Sequence, residues 1–73
     1  MITNKDVARE IVRVMLEAGA RIDATVALVQ DQATPDELAQ YRQAAGVVMS
    51  DLLFEIMNPI FEQHPDLKPP QLR

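Results

Sequence analysis

The chain has 73 residues, a formal net charge of −4 and no cysteine. This length allows one domain, and a domain this small buries too little surface to be very stable alone. The absence of cysteine excludes disulfides and thiolate metal sites as reinforcement, which leaves association with another chain. The negative charge argues against nucleic acid and anionic membranes as partners, since both bind basic surfaces.

The N-terminal ten residues are polar and lack the apolar segment of a signal peptide. The longest uninterrupted apolar runs are only a few residues, whereas a membrane-spanning helix needs about 20. We therefore expect a soluble, cytoplasmic protein that binds neither nucleic acid nor membrane.

Apolar residues at helical spacing predict a first helix over about residues 4–31, with Thr3 or Asn4 as its N-cap. Gly19 lies inside this helix, where a glycine costs about 1 kcal/mol relative to alanine. Because the apolar stripe keeps its phase across Gly19, we favour one continuous helix over a break at this residue. The core-facing stripe comprises Ala8, Ile11, Met15, Ala18, Ile22, Val26 and Val29.

The clearest local signal is the tetrapeptide Thr34-Pro35-Asp36-Glu37, which predicts the start of a second helix. Thr34 is the N-cap, Pro35 takes the first helical position, and the Glu37 side chain reaches back to the N–H of Thr34. The connection before Thr34 is short, and a short loop makes two helices antiparallel neighbours. The sequence therefore predicts an all-α fold, an antiparallel two-helix hairpin.

The second helix is predicted over about residues 35–57, and it carries more apolar residues than one packing face needs. Val47, Phe54 and Phe61 recur every seven residues, about 180° from the stripe that faces the first helix. Leu53 and Met57 fill one flank between the two stripes. We predict that these five residues form a partner or dimer interface. The stripe facing the first helix comprises Leu38, Tyr41, Ala45, Val48, Met49, Leu52 and Ile56, with Ile60 as a further candidate at its end.

Pro59 marks the end of the regular pattern, because proline lacks an N–H and disfavours helical geometry at the preceding residue. The second helix is expected either to kink there or to stop, with a short turn over about residues 59–63. Residues 1–63 form the predicted domain. Residues 64–73 are rich in proline and predict an extended tail with polyproline character. This tail is either a docking peptide, over residues 68–72, or a terminus that packs on the hairpin.

Few residues indicate chemistry. His64 is the only histidine, and the spacings of helical metal sites are absent around it. Asp51 and Glu55 lie one turn apart, but the E-x-x-H pattern of bundle metal sites is missing, which favours a solvated strip. The sequence also lacks a glycine-rich phosphate loop and a nucleophile with its base. We therefore predict no catalytic residues, no metal site and no cofactor.

The predicted function is that of a small non-enzymatic interaction protein, a homodimeric adaptor or regulator. Two hairpins would form a four-helix bundle, because a symmetric dimer buries each interface side chain twice. Each such side chain contributes about 1.5–3 kcal/mol. One alternative is an acidic antitoxin or immunity-type protein that neutralises a basic protein, since the second helix is the acidic one. Another is a metal-binding bundle or enzyme built on Asp51, Glu55 and His64.

Overall fold

The computed structural model describes residues 1–70, and the regular elements in this range are helical. They confirm the predicted all-α hairpin. In chain order, the elements are helix α1 (Lys5–Gln32), helix α2 (Pro35–Asp51), a π-helical segment (Leu52–Met57), helix α3 (Asn58–Gln63) and a 3-10 turn (Pro65–Leu67).

Helix α1 runs without a break through Gly19. The Asn4 side chain caps it by accepting a hydrogen bond from the N–H of Val7 at 3.1 Å. Gly19 does not have the left-handed geometry that ends many helices. A methyl group at Gly19 would make only an ordinary contact with Met49 Cε, at 3.9 Å. The prediction of one continuous first helix is therefore confirmed.

The predicted capping box forms at the start of α2. The hydroxyl of Thr34 accepts a hydrogen bond from the N–H of Glu37 at 3.2 Å, and Glu37 Oε1 accepts one from the N–H of Thr34 at 3.0 Å. Farther along the hairpin, the hydroxyls of Thr25 and Tyr41 lie 2.6 Å apart. Gly19, which precedes Thr25 in α1, faces Met49, which follows Tyr41 in α2. The two helices therefore run antiparallel from the turn that joins them.

The largest departure from the predicted pattern lies just before Pro59. Over Leu52–Met57 the backbone forms a π turn, and the N–H of Asn58 donates to the carbonyl oxygen of Leu53. The helix then continues to Gln63, so of the two alternatives left open at Pro59, a kink or a stop, the helix does not stop. A proline ring would meet the carbonyl four residues earlier in a regular α-helix. The wider π turn changes that geometry and lets the helix pass through Pro59.

The π turn also rotates the last part of the helix. It holds one residue more than an α turn, so later residues are displaced by about 100° from a regular helical wheel. Met57, Ile60 and Phe61 consequently pack with Ala8 and Val12 of α1 in the main core. Met57 and Phe61, two of the five residues predicted to form a partner or dimer interface, are therefore buried within the single chain.

The two ends of the described chain meet beside this core. The N–H of Ile2 donates to Gln63 Oε1 at 2.8 Å, and His64 Nε2 lies 2.7 Å from the carbonyl oxygen of Ile2. Lys5 forms an ion pair with Asp66. These contacts hold the N-terminal segment against the end of α3.

The tail is not extended from residue 64 as predicted. Its first part, Pro65–Leu67, forms a 3-10 turn, and Leu67 packs against the main core. This packing favours the second of the two sequence-based alternatives for that part of the tail. The hypothesis of a docking peptide over residues 68–72 falls partly outside the described residues.

The fold is a thin rod. Its principal dimensions are 45 × 19 × 15 Å, and its radius of gyration is 14.5 Å. A compact domain of this length would have a radius of gyration of about 11 Å. Burial is concentrated at the end where α1 begins and α3 ends, and outside that core only Ala45 is buried in the described chain. Most of the rod is one layer deep, whereas stable domains pack two layers of elements around a core.

Candidate interaction surfaces

An apolar groove of about 500 Å³ lies between α1 and the second half of the hairpin. On the α1 side it is bordered by Leu16, Gly19 and Ala20. On the other side the apolar lining residues are Met49, Leu52, Leu53 and Met57. The polar side chains that line it are Asp23 and Ser50. We call this surface the groove.

The small residues of α1 account for the depth of the groove. Gly19 and Ala20 supply almost no side-chain volume, and the Met49 side chain lies opposite Gly19. Leu16 lies one turn before Ala20 and forms a rim that is 42% exposed. Leu53 is half-buried on the opposite wall. The groove is therefore an apolar depression with an apolar rim on the same helix.

The predicted five-residue interface divides between three environments. Val47 and Phe54 are 59% and 61% exposed, and neither lines the groove. Leu53 lines the groove, and Met57 lies at its buried end. Phe61 belongs to the core. The structure thus separates the predicted single stripe into an outward-facing pair, a groove wall and a core residue.

Charge is distributed differently on the two helices. The arginines of α1 are paired along the helix, at 2.6–3.4 Å, in the ion pairs Arg9–Asp6, Arg13–Glu10, Arg13–Glu17 and Arg21–Glu17. The hydrogen bond from Arg13 holds the pKa of Glu10 below its ordinary value. In contrast, Asp51 and Glu55 are exposed and have no ion-pair partner within residues 1–70. Two unpaired carboxylates therefore lie on the second helix close to Val47 and Phe54, while Asp23 and Asp31 of α1 likewise form no ion pair in the described part of the chain.

The groups suggested for metal chemistry are not brought together. Within residues 1–70, no three histidine, aspartate or glutamate side chains cluster closely enough to hold a metal ion. His64 contacts the backbone oxygen of Ile2. The alternative that joins His64 with Asp51 and Glu55 in one metal site therefore has no geometric basis here.

The long second helix bears on the prediction that the chain does not bind membranes. The continuous helix Pro35–Gln63 is long and apolar enough to cross a bilayer, and 22% of its most apolar 18-residue window is buried. A helix inside a soluble protein passes the same test of length and composition. Asp51 and Glu55 lie within this helix, and a carboxylate at a bilayer centre costs about 3 kcal/mol.

Sequence reasoning missed two residues of these surfaces. Val12 is buried in the core and Leu16 forms the groove rim, yet neither belongs to the predicted stripe of α1. Both had a usable signal, because Val12 lies one turn after Ala8, and Leu16 lies one turn before the small residue Ala20.

Comparison of the chain with protein-family models, with curated proteins and with solved structures finds no match. The surfaces described above are therefore the basis for a functional proposal.

Proposed function

We propose that this chain is a non-enzymatic, cytoplasmic interaction protein that acts as a homodimeric adaptor or regulator. Two hairpins pack groove against groove and complete an antiparallel four-helix bundle. The observation that carries the proposal is the uncovered apolar groove along a rod that is otherwise one layer deep.

The exposed area supports association. The accessible surface is 5204 Å² for a mass of 8.2 kDa, whereas a compact monomer of that mass exposes about 4,500 Å². The excess, about 700 Å² by this relation, is similar to the roughly 800 Å² that each partner buries in a standard interface. Burying the groove faces of two copies would therefore reduce the accessible surface area of each chain to about that of a compact protein of the same mass.

The shape of the groove favours a second copy as its occupant. A two-fold interface uses the same patch on both subunits, so the patch must contain both a projection and a depression. Leu16 supplies the projection, and Gly19 with Ala20 supplies the depression one turn away. When two such helices cross, each Leu16 can enter the depression of the other copy.

The test compares two leucines of α1 that differ in their relation to the groove. Leu16 lines it, whereas Leu28 is 55% exposed and lies outside it. Leu16→Glu places a charge in the buried dimer interface, and Leu28→Glu makes the same chemical change in solvent. Mass by light scattering should be twice 8.2 kDa for the wild type and for Leu28→Glu, and 8.2 kDa for Leu16→Glu at the same concentration.

Both variants alter exposed side chains, so both should keep the helical circular dichroism of the wild type. A monomeric wild type across the accessible concentration range rules out the homodimer. A Leu16→Glu variant that remains a dimer rules out the groove as its interface.

A further inference from the structure

We propose that the outward face of the second helix, formed by Val47, Asp51, Phe54 and Glu55, docks a basic amphipathic helix of another protein. This face does not line the groove, so the inference goes beyond the proposed dimer and does not depend on it. In a dimer the face would be present twice.

The apolar half of the face is exposed without cover. Phe54 and Val47 are among the most exposed large apolar side chains of the described chain, at 61% and 59%. They are seven residues apart and therefore lie on one side of the helix. Ala45, which packs towards α1, is buried, so this pair points away from the hairpin's own interface. Aromatic residues of this kind are common anchors of protein interfaces.

The charged half of the face determines the sign of the partner. Asp51 lies four residues after Val47, and Glu55 lies four residues after Asp51, so the carboxylates run beside the apolar pair. Neither has an ion-pair partner within residues 1–70. The four residues form a strip two turns long, about 12 Å. A partner helix with lysine or arginine beside its apolar stripe would neutralise both carboxylates while covering Phe54.

The cations of α1 and α2 argue against a second copy, packed through its helices, as the occupant. The cations of α1, Lys5 and the three arginines, form ion pairs with carboxylates of their own chain. Docking any of these cations on Asp51 would break an existing ion pair. Arg42 lies on the same helix as Asp51, about 180° out of phase with it. A basic helix of another protein would not have to break any ion pair of this chain, and the position of Arg42 would not limit it.

The probe is a synthetic peptide of about 18 residues, five helical turns, with leucines on one face and lysines on the other. A matched peptide carries glutamate in place of lysine. Amide signals of the labelled chain are followed by NMR during titration with each peptide. The lysine peptide should shift signals around Val47, Phe54 and Glu55 with an affinity that falls as salt rises, and the glutamate peptide should not.

Two pairs of variants distinguish binding at this face from nonspecific binding that depends only on overall charge or hydrophobicity. Phe54→Ser should weaken binding of the lysine peptide about tenfold, whereas Val48→Ser, on another side of the helix, should leave it unchanged. Asp51→Asn should weaken binding about threefold, as expected for one exposed charge pair. Asp31→Asn removes the same charge from α1 and should have no effect. Circular dichroism checks that each variant is folded.

Four results of the peptide titrations would overturn the inference. They are equal binding of both peptides, shifts confined to the groove, equal losses in the control variants, and no binding up to the solubility of the peptide. Phosphatidylcholine vesicles provide a further comparison. If they bind the wild type and lose affinity for Phe54→Ser, the face is a lipid-binding face and the protein-docking inference is wrong. A monomeric wild type would refute the proposed dimer and leave this test intact.

Discussion

The tetrapeptide that begins α2 shows how far single residues control this fold. The reciprocal bonds between Thr34 and Glu37 satisfy N–H groups that a helix start leaves free. Their geometry was predictable because it depends on residues adjacent in sequence. The burial of Phe61 was not predictable in this way, since it depends on a change of helical phase and on α1.

The capping box gives a prediction at the scale of single residues. Thr34→Ala should lower the free energy of unfolding by about 1 kcal/mol at neutral pH, because a helix N–H loses its partner. Thr3→Ala, outside the helix, is the control and should have no effect. Chemical unfolding followed by circular dichroism measures both. Equal stability of Thr34→Ala and the wild type would contradict the role given to the cap.

The same pair determines a pH dependence. The hydrogen bonds from the Thr34 N–H and, second, from its hydroxyl hold the pKa of Glu37 below its ordinary value of 4.5. A lowered folded-state pKa stabilises the fold above the unfolded pKa, and the stabilisation disappears as pH falls through the folded value. Thr34→Ala keeps the backbone N–H and loses only the hydroxyl donor to Glu37. The difference in free energy of unfolding between wild type and Thr34→Ala should therefore narrow by the hydroxyl's smaller share as pH falls below about 4, whereas most of the pH dependence should persist in the variant.

At the scale of elements, the second helix is the informative one. The sequence correctly located a disturbance near Pro59, since proline removes a donor from the helix. It did not predict whether the helix would stop, kink or widen, because that choice depends on which side chains α1 can bury. The observed π turn keeps the helix continuous and turns Met57, Ile60 and Phe61 into the core.

If the π turn amounts to one residue inserted into an α-helix, deleting one residue from it should restore a regular α-helix and keep the later residues facing the same way. Deleting the exposed Glu55, together with Pro59→Ala, should leave Phe61 in the core and preserve most of the melting temperature. Deleting the exposed Gln43 in the same Pro59→Ala background should displace one half of the helix by about 100° and unfold the hairpin. Thermal melting by circular dichroism compares the two. Equal loss in both deletions would contradict the phase-shift explanation.

At the scale of the whole molecule, the sequence predicted a surplus of apolar surface, and the structure contains one. Its position was only partly predictable. A regular helical wheel placed Val47 and Phe54 outside the hairpin, where they are found. Val47 precedes the π-helical segment and Phe54 lies in its first half, before the full phase shift has accumulated. The groove could not be derived in this way, since it exists only when Leu16 and Gly19 of α1 are placed opposite Met49.

The proposed homodimer requires that two copies meet through their grooves. The most direct measurement is an isotope-filtered NOE experiment on a mixture of labelled and unlabelled chains, which detects only contacts between copies. We predict contacts from the methyl groups of Leu16, Met49 and Leu53 to the groove of the other copy. Contacts confined to Val47 and Phe54, or none at concentrations where the wild type has twice the mass of 8.2 kDa, would contradict the claim.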